Sequence, residues 1–269
     1  MRAEGARIEV AGTPIWYRTT GVGDGPPLVL VHGSGANHWW WFEVVPWLEK
    51  HHRVVVVDLS GHGDSGHRDE YAIDLWVEEV TAVVDTLAEP VVLVGHSLGG
   101  KLSLLVAARR PEAVRAMALL DVPLTPESRI RPQTGFPAGP QRYVAGLDDL
   151  VARFRLSPAQ PMPPEHVVRA VAEGSARATP EGWTWKYDRR GMPPLDDRLL
   201  NAAAGQMRCP ALYVHGSESA LVDEERLDHA CEVLSPWLTV VKVDGAHHHL
   251  VLEEPQQCAT LIHDFAATL

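Results

Sequence analysis

Short apolar runs recur along this chain and alternate with longer amphipathic segments. Six of these runs have the length of a strand: 27–31, 53–57, 90–94, 115–120, 211–214 and 238–243. A continuous apolar run of this length is typical of a strand that is buried on both faces, as in a parallel sheet. The segments between the runs place apolar residues at helical spacing. The sequence therefore predicts an α/β fold with helices on both faces of a mostly parallel sheet, and with functional sites at the carboxyl ends of the strands.

The alternation stops between residues 122 and 207. This stretch is rich in proline, contains two segments with helical spacing at 141–154 and 164–174, and shows no convincing strand. A strandless stretch of this length is better explained by an inserted helical unit than by a loop. We therefore predict a core formed by residues 1–121 and 208–269, with residues 122–207 inserted as a helical lid.

The chain is acidic, with a net charge of −11 over 269 residues. Nucleic acids and anionic membranes bind concentrated positive charge, so we expect neither as a partner. The three cysteines are odd in number and lack the C-x-x-C spacing of a thiolate metal site. Because the N-terminal residues are charged and no apolar run reaches the roughly 18 residues that span a bilayer, we expect a cytoplasmic protein with a small-molecule substrate.

One strand is followed at once by a Gly-x-Ser-x-Gly pattern and a helix, in the segment VVLVGHSLGG at 91–100. A serine on a sharp strand-to-helix turn exposes its Oγ, and side chains at the flanking positions Gly95 and Gly99 would collide with nearby backbone. The turn also leaves the Leu98 N–H at a helix N-terminus, where it can stabilise an oxyanion. The pattern predicts that Ser97 is a nucleophile; the alternative is a glycine-rich turn with an incidental serine.

Two further polar loops follow predicted strands. VHGSGAN at 31–37 is a His-Gly turn that frees a backbone N–H, which we assign to Ser34, to face the same cleft. DLSGHGDSG at 58–66 has the small and polar residues of a tight loop beside an active site. Three residues of this second loop are expected to be structural: Asp58, His62 and Asp64.

These three loops, in this order and each after a predicted strand, resemble the corresponding segments of the α/β-hydrolase superfamily. The resemblance covers essentially the whole chain except the predicted lid, and the combination is more specific than any one segment. It implies an eight-stranded, mostly parallel sheet with an inserted helical lid. It also implies a catalytic triad of serine, histidine and an acid, with neither a metal nor an organic cofactor.

Three consecutive histidines stand in the segment AHHHLVLEEP. In the family that the chain resembles, the catalytic histidine commonly lies five positions before a glutamate and seven before a proline. Glu253 and Pro255 fit that register for His248, which we take as the general base. His247 then stands where the family usually has glycine, and it is the alternative base if the loop is shifted. We expect His249 to pack or to face solvent, since three adjacent rings cannot all reach one metal ion.

The acid of the triad is not evident. The family most often supplies it three positions after a glycine in a strand-loop segment, and that position is Ser219 here. A serine cannot stabilise a charged imidazole. Some relatives carry the acid after the preceding strand, where this chain has Asp121. We therefore favour Asp121, with Glu218 and then Asp223 as alternatives. The purely structural interpretation of Asp121 is that it caps a turn or a helix.

The resemblance implies a serine hydrolase that transfers an acyl group to water. Ser97 would attack a carbonyl after His248 removes its proton, and the N–H groups of Ser34 and Leu98 would stabilise the oxyanion. We expect a carboxylic ester or lactone of a small, largely apolar substrate. The predicted substrate contacts are Gly33, His96, Trp39, Trp183 and Trp185.

Other activities stay open. A thioester, or a carbon–carbon bond beside a ketone, could be cleaved by the same triad. A ligand-binding protein of the same fold with weak or no catalysis is also possible, because Ser219 leaves the usual position of the acid without a carboxylate.

Overall fold

The computed structural model describes residues 5–131, 139–190 and 193–269. The strands in these ranges are β1 (Ala6–Val10), β2 (Thr13–Thr20), β3 (Gly25–Val31), β4 (His52–Val57), β5 (Val91–His96), β6 (Val114–Leu120), β7 (Ala176–Thr179), β8 (Gly182–Trp185), β9 (Ala211–Gly216) and β10 (Leu238–Val243). The helices are α1 (Val45–Leu48), α2 (Ile73–Val84), α3 (Leu98–Arg109), α4 (Leu147–Val151), α5 (Glu165–Gly174), α6 (Asp197–Gly205), α7 (Glu224–Leu234), α8 (Leu250–Glu253) and α9 (Pro255–Ala266). None of the described helices is both long and apolar enough to span a membrane.

Eight of the described strands form one sheet in the order β1-β2-β4-β3-β5-β6-β9-β10. From β4 to β10 every neighbouring pair is parallel, whereas β1 and β2 pair antiparallel at one edge. All six predicted apolar runs lie in the parallel part, so the predicted α/β sheet is confirmed. Strands β1 and β2 carry exposed polar residues, such as Arg7, Glu9 and Thr19, and so give no continuous apolar run.

The core lies on both faces of the sheet because successive side chains of a strand point to opposite faces. In β3, Val29 and Val31 join one buried cluster, whereas Leu28 and Leu30 join the other. Helices α2, α3, α6 and α7 cover the first face, and α1, α8 and α9 cover the second. With both faces covered, the carboxyl ends of the parallel strands are left as the edge where loops can form a site.

The insertion between β6 and β9 is not purely helical. It contains α4, α5 and the antiparallel hairpin of β7 and β8, a region in which the sequence shows no convincing strand. Four-residue strands with a polar face lack the apolar run that marks the central strands. Helix α4 is also shorter than the predicted segment 141–154. Residues 132–138 and 191–192 of the predicted lid lie outside the described residues.

Helix α6 belongs to the predicted lid range but packs on the sheet. Its residues Leu200, Ala203 and Ala204 lie in the same buried cluster as residues of α2 and α3. The part of the insertion that stands over the carboxyl edge of the sheet is therefore the segment that precedes α6.

Contacts between polar side chains hold the insertion against the core. Tyr71 Oη donates to Asp188 Oδ2 at 2.6 Å, and Lys186 forms an ion pair with Asp64 at 2.7 Å. On the other side, Asn37 Nδ2 donates to Ser175 Oγ at 2.8 Å.

Candidate active site

Ser97 lies on the turn between β5 and α3. Its φ of 52° and ψ of −116° fall outside the regions that L-residues ordinarily adopt. A Cβ atom at Gly95 would lie 2.4 Å from the Gly100 backbone, and one at Gly99 would lie 2.1 Å from the Val31 carbonyl oxygen. Both glycines are therefore required sterically, as the sequence pattern predicts. Backbone strain of this kind is commonly retained at functional sites.

A chain of hydrogen bonds joins Ser97 to two buried residues from other loops. His248 Nε2 lies 3.1 Å from Ser97 Oγ, and His248 Nδ1 lies 2.6 Å from Asp121 Oδ1. A carboxylate can only accept, so Nδ1 carries the proton and Nε2 presents its lone pair to the serine hydroxyl. The side chains of His248 and Asp121 are 3% and 0% exposed, so water does not compete for this contact. These three residues form a complete serine, histidine and acid arrangement.

Asp121 is fixed by its own hydrogen bonds. Its backbone has a φ of 48°, in the left-handed region, directly after β6. Oδ2 accepts from the Gly216 N–H at 3.1 Å, and Oδ1 accepts from Ser219 Oγ at 2.7 Å. Tyr213 Oη donates to the Val122 carbonyl at 2.5 Å and holds the next peptide. Ser219, which occupies the usual acid position, thus donates to the carboxylate that faces the histidine; nothing in the sequence pattern indicates this contact.

The other two acid candidates point elsewhere. Glu218 is exposed and accepts from the neighbouring Ser217 hydroxyl at 3.3 Å. Asp223 is exposed, caps α7 by accepting from the Arg226 N–H at 3.0 Å, and forms an ion pair with Arg129 at 2.7 Å. Neither makes the contact with the imidazole that Asp121 makes.

The three consecutive histidines have three different environments. His247 donates from its backbone N–H to Glu253 at 2.8 Å, and its Nδ1 lies 2.9 Å from the same carboxylate, so the pair closes the loop. His248 faces Ser97. His249 is buried against Trp40, with ring centroids 5.1 Å apart, rather than facing solvent. Burial, followed by the charge of His248, lowers the pKa of His249 to about 3.

His96 and Gly33 lie against the loops that carry His248 and Ser97. His96 Nε2 donates to the His248 carbonyl at 2.8 Å, and burial together with the two neighbouring imidazoles holds its pKa well below the ordinary range. A Cβ at Gly33 would lie 2.9 Å from His96 Nδ1 and 3.4 Å from Ser97 Cβ. The glycine thus allows the 31–37 loop to approach the serine closely. The predicted substrate contact of His96 stays a prediction; its observed hydrogen bond is to the loop that carries His248.

The loop that carries Ser34 and the turn that carries Leu98 follow neighbouring strands, because Val31 of β3 is the register partner of Gly95 of β5. The Gly33 carbonyl accepts from His32 Nδ1 at 2.7 Å and from the Ala36 N–H at 3.2 Å. In a trans peptide the N–H points opposite to the carbonyl, so these bonds fix the direction of the Ser34 N–H. The sequence pattern did not identify His32 as a support of this loop.

The 58–66 loop is structural, as expected. Asp58 is fully buried and accepts from the His38 N–H at 2.7 Å, from His38 Nδ1 at 2.8 Å and from the Asp64 N–H at 2.8 Å. His62 Nε2 accepts from the Gly35 N–H at 3.2 Å. Together these residues hold the 31–37 loop in place.

Two groups of side chains among the described residues bring possible metal ligands within 4.8 Å of one another: His96 with His248 and His249, and His38 with Asp58 and Asp64. In both groups the nitrogen and oxygen atoms of several members already form the hydrogen bonds given above. Apart from His249, whose ring nitrogens have no hydrogen-bond partner among the described residues, these donor atoms are used in protein contacts.

A cavity of about 270 Å³ opens beside the serine, between the core and the insertion. Its aromatic lining comes from Trp40, Phe154, Trp185 and Tyr187. Of the predicted contacts, only Trp185 is among the residues that line it. The Trp39 ring instead packs against Gly174 of α5, and the Trp183 backbone pairs with Val144.

Protonation of the buried histidines should make the fold sensitive to acid. Burial, followed by the charge of His32, lowers the pKa of His62 from 6.5 to about 3. Between pH 6.5 and pH 3 the imidazole of His62 is protonated in the unfolded chain and neutral in the folded one. Its contribution to the free energy of unfolding is therefore fully present above pH 6.5 and is lost progressively as the pH falls toward 3. We expect His62 alone to reduce it by about 2 kcal/mol between pH 7.5 and pH 5, measured by urea unfolding.

A His62→Gln variant should show a shallower pH dependence, whereas the exposed His166→Gln should behave like the wild type. Parallel pH profiles for wild type and His62→Gln would contradict this origin of the acid sensitivity.

Comparisons with known proteins show the family of this chain. A family model described as the alpha/beta hydrolase family matches residues 28–261. A pimeloyl-[acyl-carrier protein] methyl ester esterase from Methylococcus capsulatus is 30% identical over 256 residues, which cover 91% of this chain and 96% of that protein. A 2-hydroxy-6-oxo-2,4-heptadienoate hydrolase from Pseudomonas putida is 40% identical over 129 residues, 45% of each chain.

The fold has solved counterparts. The thioesterase domain from the curacin biosynthetic pathway superposes with a TM-score of 0.81 at 22% identity, covering 97% of this chain and 99% of that one. At this identity the likeness concerns the fold alone.

Proposed function

Because the chain belongs to the alpha/beta hydrolase family, we propose that it hydrolyses a carboxylic ester or lactone through an acyl-enzyme formed on Ser97. The observation that carries the proposal is the continuous hydrogen-bond chain from Asp121 through His248 to Ser97. Full-length similarity to a methyl ester esterase supports the choice of an oxygen ester.

The first half of the reaction transfers the acyl group to the enzyme. His248 Nε2 takes the proton of Ser97 Oγ as Oγ attacks the carbonyl carbon, and the charge that develops on the imidazole is offset by Asp121. The N–H groups of Ser34 and Leu98 hold the oxyanion. When the tetrahedral intermediate collapses, the bond to the leaving oxygen breaks and that oxygen takes the proton from Nε2.

The second half returns the enzyme to its starting state. Water gives a proton to His248 Nε2 while its oxygen attacks the acyl carbon, and the carbon–Oγ bond then breaks as the proton returns to Ser97. Each step moves one proton between Nε2 and an oxygen atom, so the reaction needs no metal or organic cofactor. The segment before α6 acts as the lid that covers the acyl group.

Two alternative functions have less support than hydrolysis of an oxygen ester. The 40% identity with a hydrolase of a dienoate over 129 residues keeps carbon–carbon bond cleavage as the second candidate. The argument for a ligand-binding protein with little catalysis depended on the absence of an acid at Ser219. The carboxylate of Asp121, 2.6 Å from the imidazole, counts against that argument.

A fluorophosphonate probe tests the proposal directly. We expect it to add a single phosphonyl group to Ser97 of the folded protein, located by peptide mass spectrometry, because only an activated serine attacks the probe at a useful rate. Prior incubation with p-nitrophenyl butyrate should slow labelling. If Ser97 stays unlabelled in folded protein that also releases no nitrophenol, the proposal is wrong.

A further inference from the structure

The cavity beside the serine has an unusual charge. Three arginines of the insertion line it, Arg153, Arg155 and Arg189, and none of its described lining residues is Asp or Glu. The chain as a whole has 35 acidic and 24 basic residues apart from histidine. A concentration of positive charge in a cavity next to the loops of the reaction centre, in an acidic protein, indicates that the charge serves to bind a ligand.

Several other cations of the insertion form ion pairs with carboxylates, whereas among the described residues these three arginines do not. Arg169 lies 2.9 Å from Asp148, and Arg190 lies 2.8 Å from Asp188. Within residues 5–131, 139–190 and 193–269, no carboxylate lies within 4.0 Å of the guanidinium groups of the three cavity arginines. Of the residues outside these ranges, 132–138 and 191–192 contain no acidic residue, and 1–4 contain one, Glu4.

Of the three cavity arginines, Arg189 is the one with a buried N–H, at Nε, that lacks a hydrogen-bond partner among the described residues. A buried N–H of a charged group that is left unbonded is costly, and an anion that accepts from it removes the cost. Arg155 is held beside the cavity because its Nη1 donates to the carbonyls of Ala152 and Phe154, at 2.8 Å and 2.7 Å.

The cavity is lined both by loops of the reaction centre and by the insertion. Two loops of the site line the cavity: Ser34 directly follows Gly33, where a Cβ would lie 3.4 Å from Ser97 Cβ, and His249 directly follows His248. The arginines come from the insertion, and Trp40, Phe154 and Trp185 supply apolar lining. A carbonyl at Ser97 therefore leaves the remote end of its substrate among the arginines.

We propose that the substrate is an ester with an apolar middle and an anionic remote end, a carboxylate or a phosphate, and that Arg189 is the main group that binds the anion. The guanidinium fork matches either anion through two parallel hydrogen bonds. This proposal rests on the proposed esterase function and adds the chemical class of its substrate.

Paired substrates test the proposal by activity. Monomethyl adipate and methyl hexanoate have similar chains and differ in the remote carboxylate. We expect wild type to prefer the former in kcat/KM, and Arg189→Gln to lower this preference by about 10- to 100-fold, mainly through KM, because the remote contact is the same in the ground and transition states. Arg189→Lys should keep part of the preference. Exposed Arg177 on β7, which is not among the cavity residues, gives the matched control Arg177→Gln with wild-type selectivity.

Equilibrium binding to Ser97→Ala tests the anion site without catalysis. Hexanoate and butyl phosphate should each bind more tightly than 1-hexanol, and the tighter of the two identifies the anion; adding Arg189→Gln should remove the difference. Equal binding of hexanoate, butyl phosphate and 1-hexanol would overturn the inference, as would an unchanged preference in Arg189→Gln. Ester hydrolysis without charge preference would remove only this inference, whereas Arg189-dependent anion binding in a protein that hydrolyses no ester would remove only the esterase function.

Discussion

Replacing Ser97 with alanine is expected to lower kcat for p-nitrophenyl butyrate by about 10⁴-fold or more, with little change in KM. In the proposed reaction the Ser97 hydroxyl is the protein group that bonds covalently to the acyl carbon, and its Oγ lies 3.1 Å from the proton acceptor on His248. Without it, the site can still bind the ester and the oxyanion, and water must attack directly. Steady-state release of nitrophenol measures the effect.

Ser128→Ala is the matched control, because this serine is exposed and its Oγ donates to Glu225 on α7 rather than to a residue of the site. It should hydrolyse the ester at the wild-type rate. The Ser97→Ala protein should keep its near-ultraviolet circular dichroism, since alanine loses only the hydroxyl. A folded Ser97→Ala protein with more than a few per cent of wild-type activity would contradict the nucleophile.

Asp121→Asn should be nearly as damaging, with kcat falling by about 10⁴-fold. The carboxylate accepts from His248 Nδ1, from Ser219 and from Gly216, and an amide has only one oxygen with which to replace its two. An amide NH₂ turned toward the ring would favour the tautomer with its proton on Nε2, which cannot accept from the serine. The rate should be measured from pH 6 to pH 9 with the same ester.

The alternative acids provide the controls for this second prediction. Glu218→Gln and Asp223→Asn remove exposed carboxylates and should keep wild-type activity. The double variant Asp121→Asn, Ser219→Asp places a carboxylate after β9 instead of after β6. It should recover part of the lost rate, because Ser219 Oγ lies 2.7 Å from the Asp121 carboxylate in the wild type. Full activity in Asp121→Asn alone would exclude Asp121 from the triad.

The parallel part of the sheet could be predicted from the chain because its cause is local. A strand that is covered on both faces of the sheet must have consecutive apolar residues. The runs 53–57 and 90–94 show this pattern directly in the sequence. The turn at Ser97 was predictable for a similar reason: the flanking glycines are required by backbone that lies within a few residues or in the neighbouring strand.

The insertion was predicted less well. The hairpin of β7 and β8 and the shortness of α4 were missed because short, half-exposed elements over an active site have weak periodicity. Helix α6 could not be separated from the lid, since an amphipathic pattern indicates that one face is buried without indicating what buries it.

By itself, the sequence determined the sheet and the position of the serine on its turn, because both depend on residues that are neighbours in the chain or in a strand. The register that favours His248 came from the resemblance to a known family. Only the tertiary structure decided which carboxylate faces the imidazole, what Ser219 does, and which side chains line the cavity. Asp121 and Ser219 are 98 positions apart, and their hydroxyl-to-carboxylate contact exists because β6 and β9 are neighbours in the sheet. The charge of the cavity is decided in the same way, by arginines that meet only when the insertion folds over the carboxyl ends of the strands.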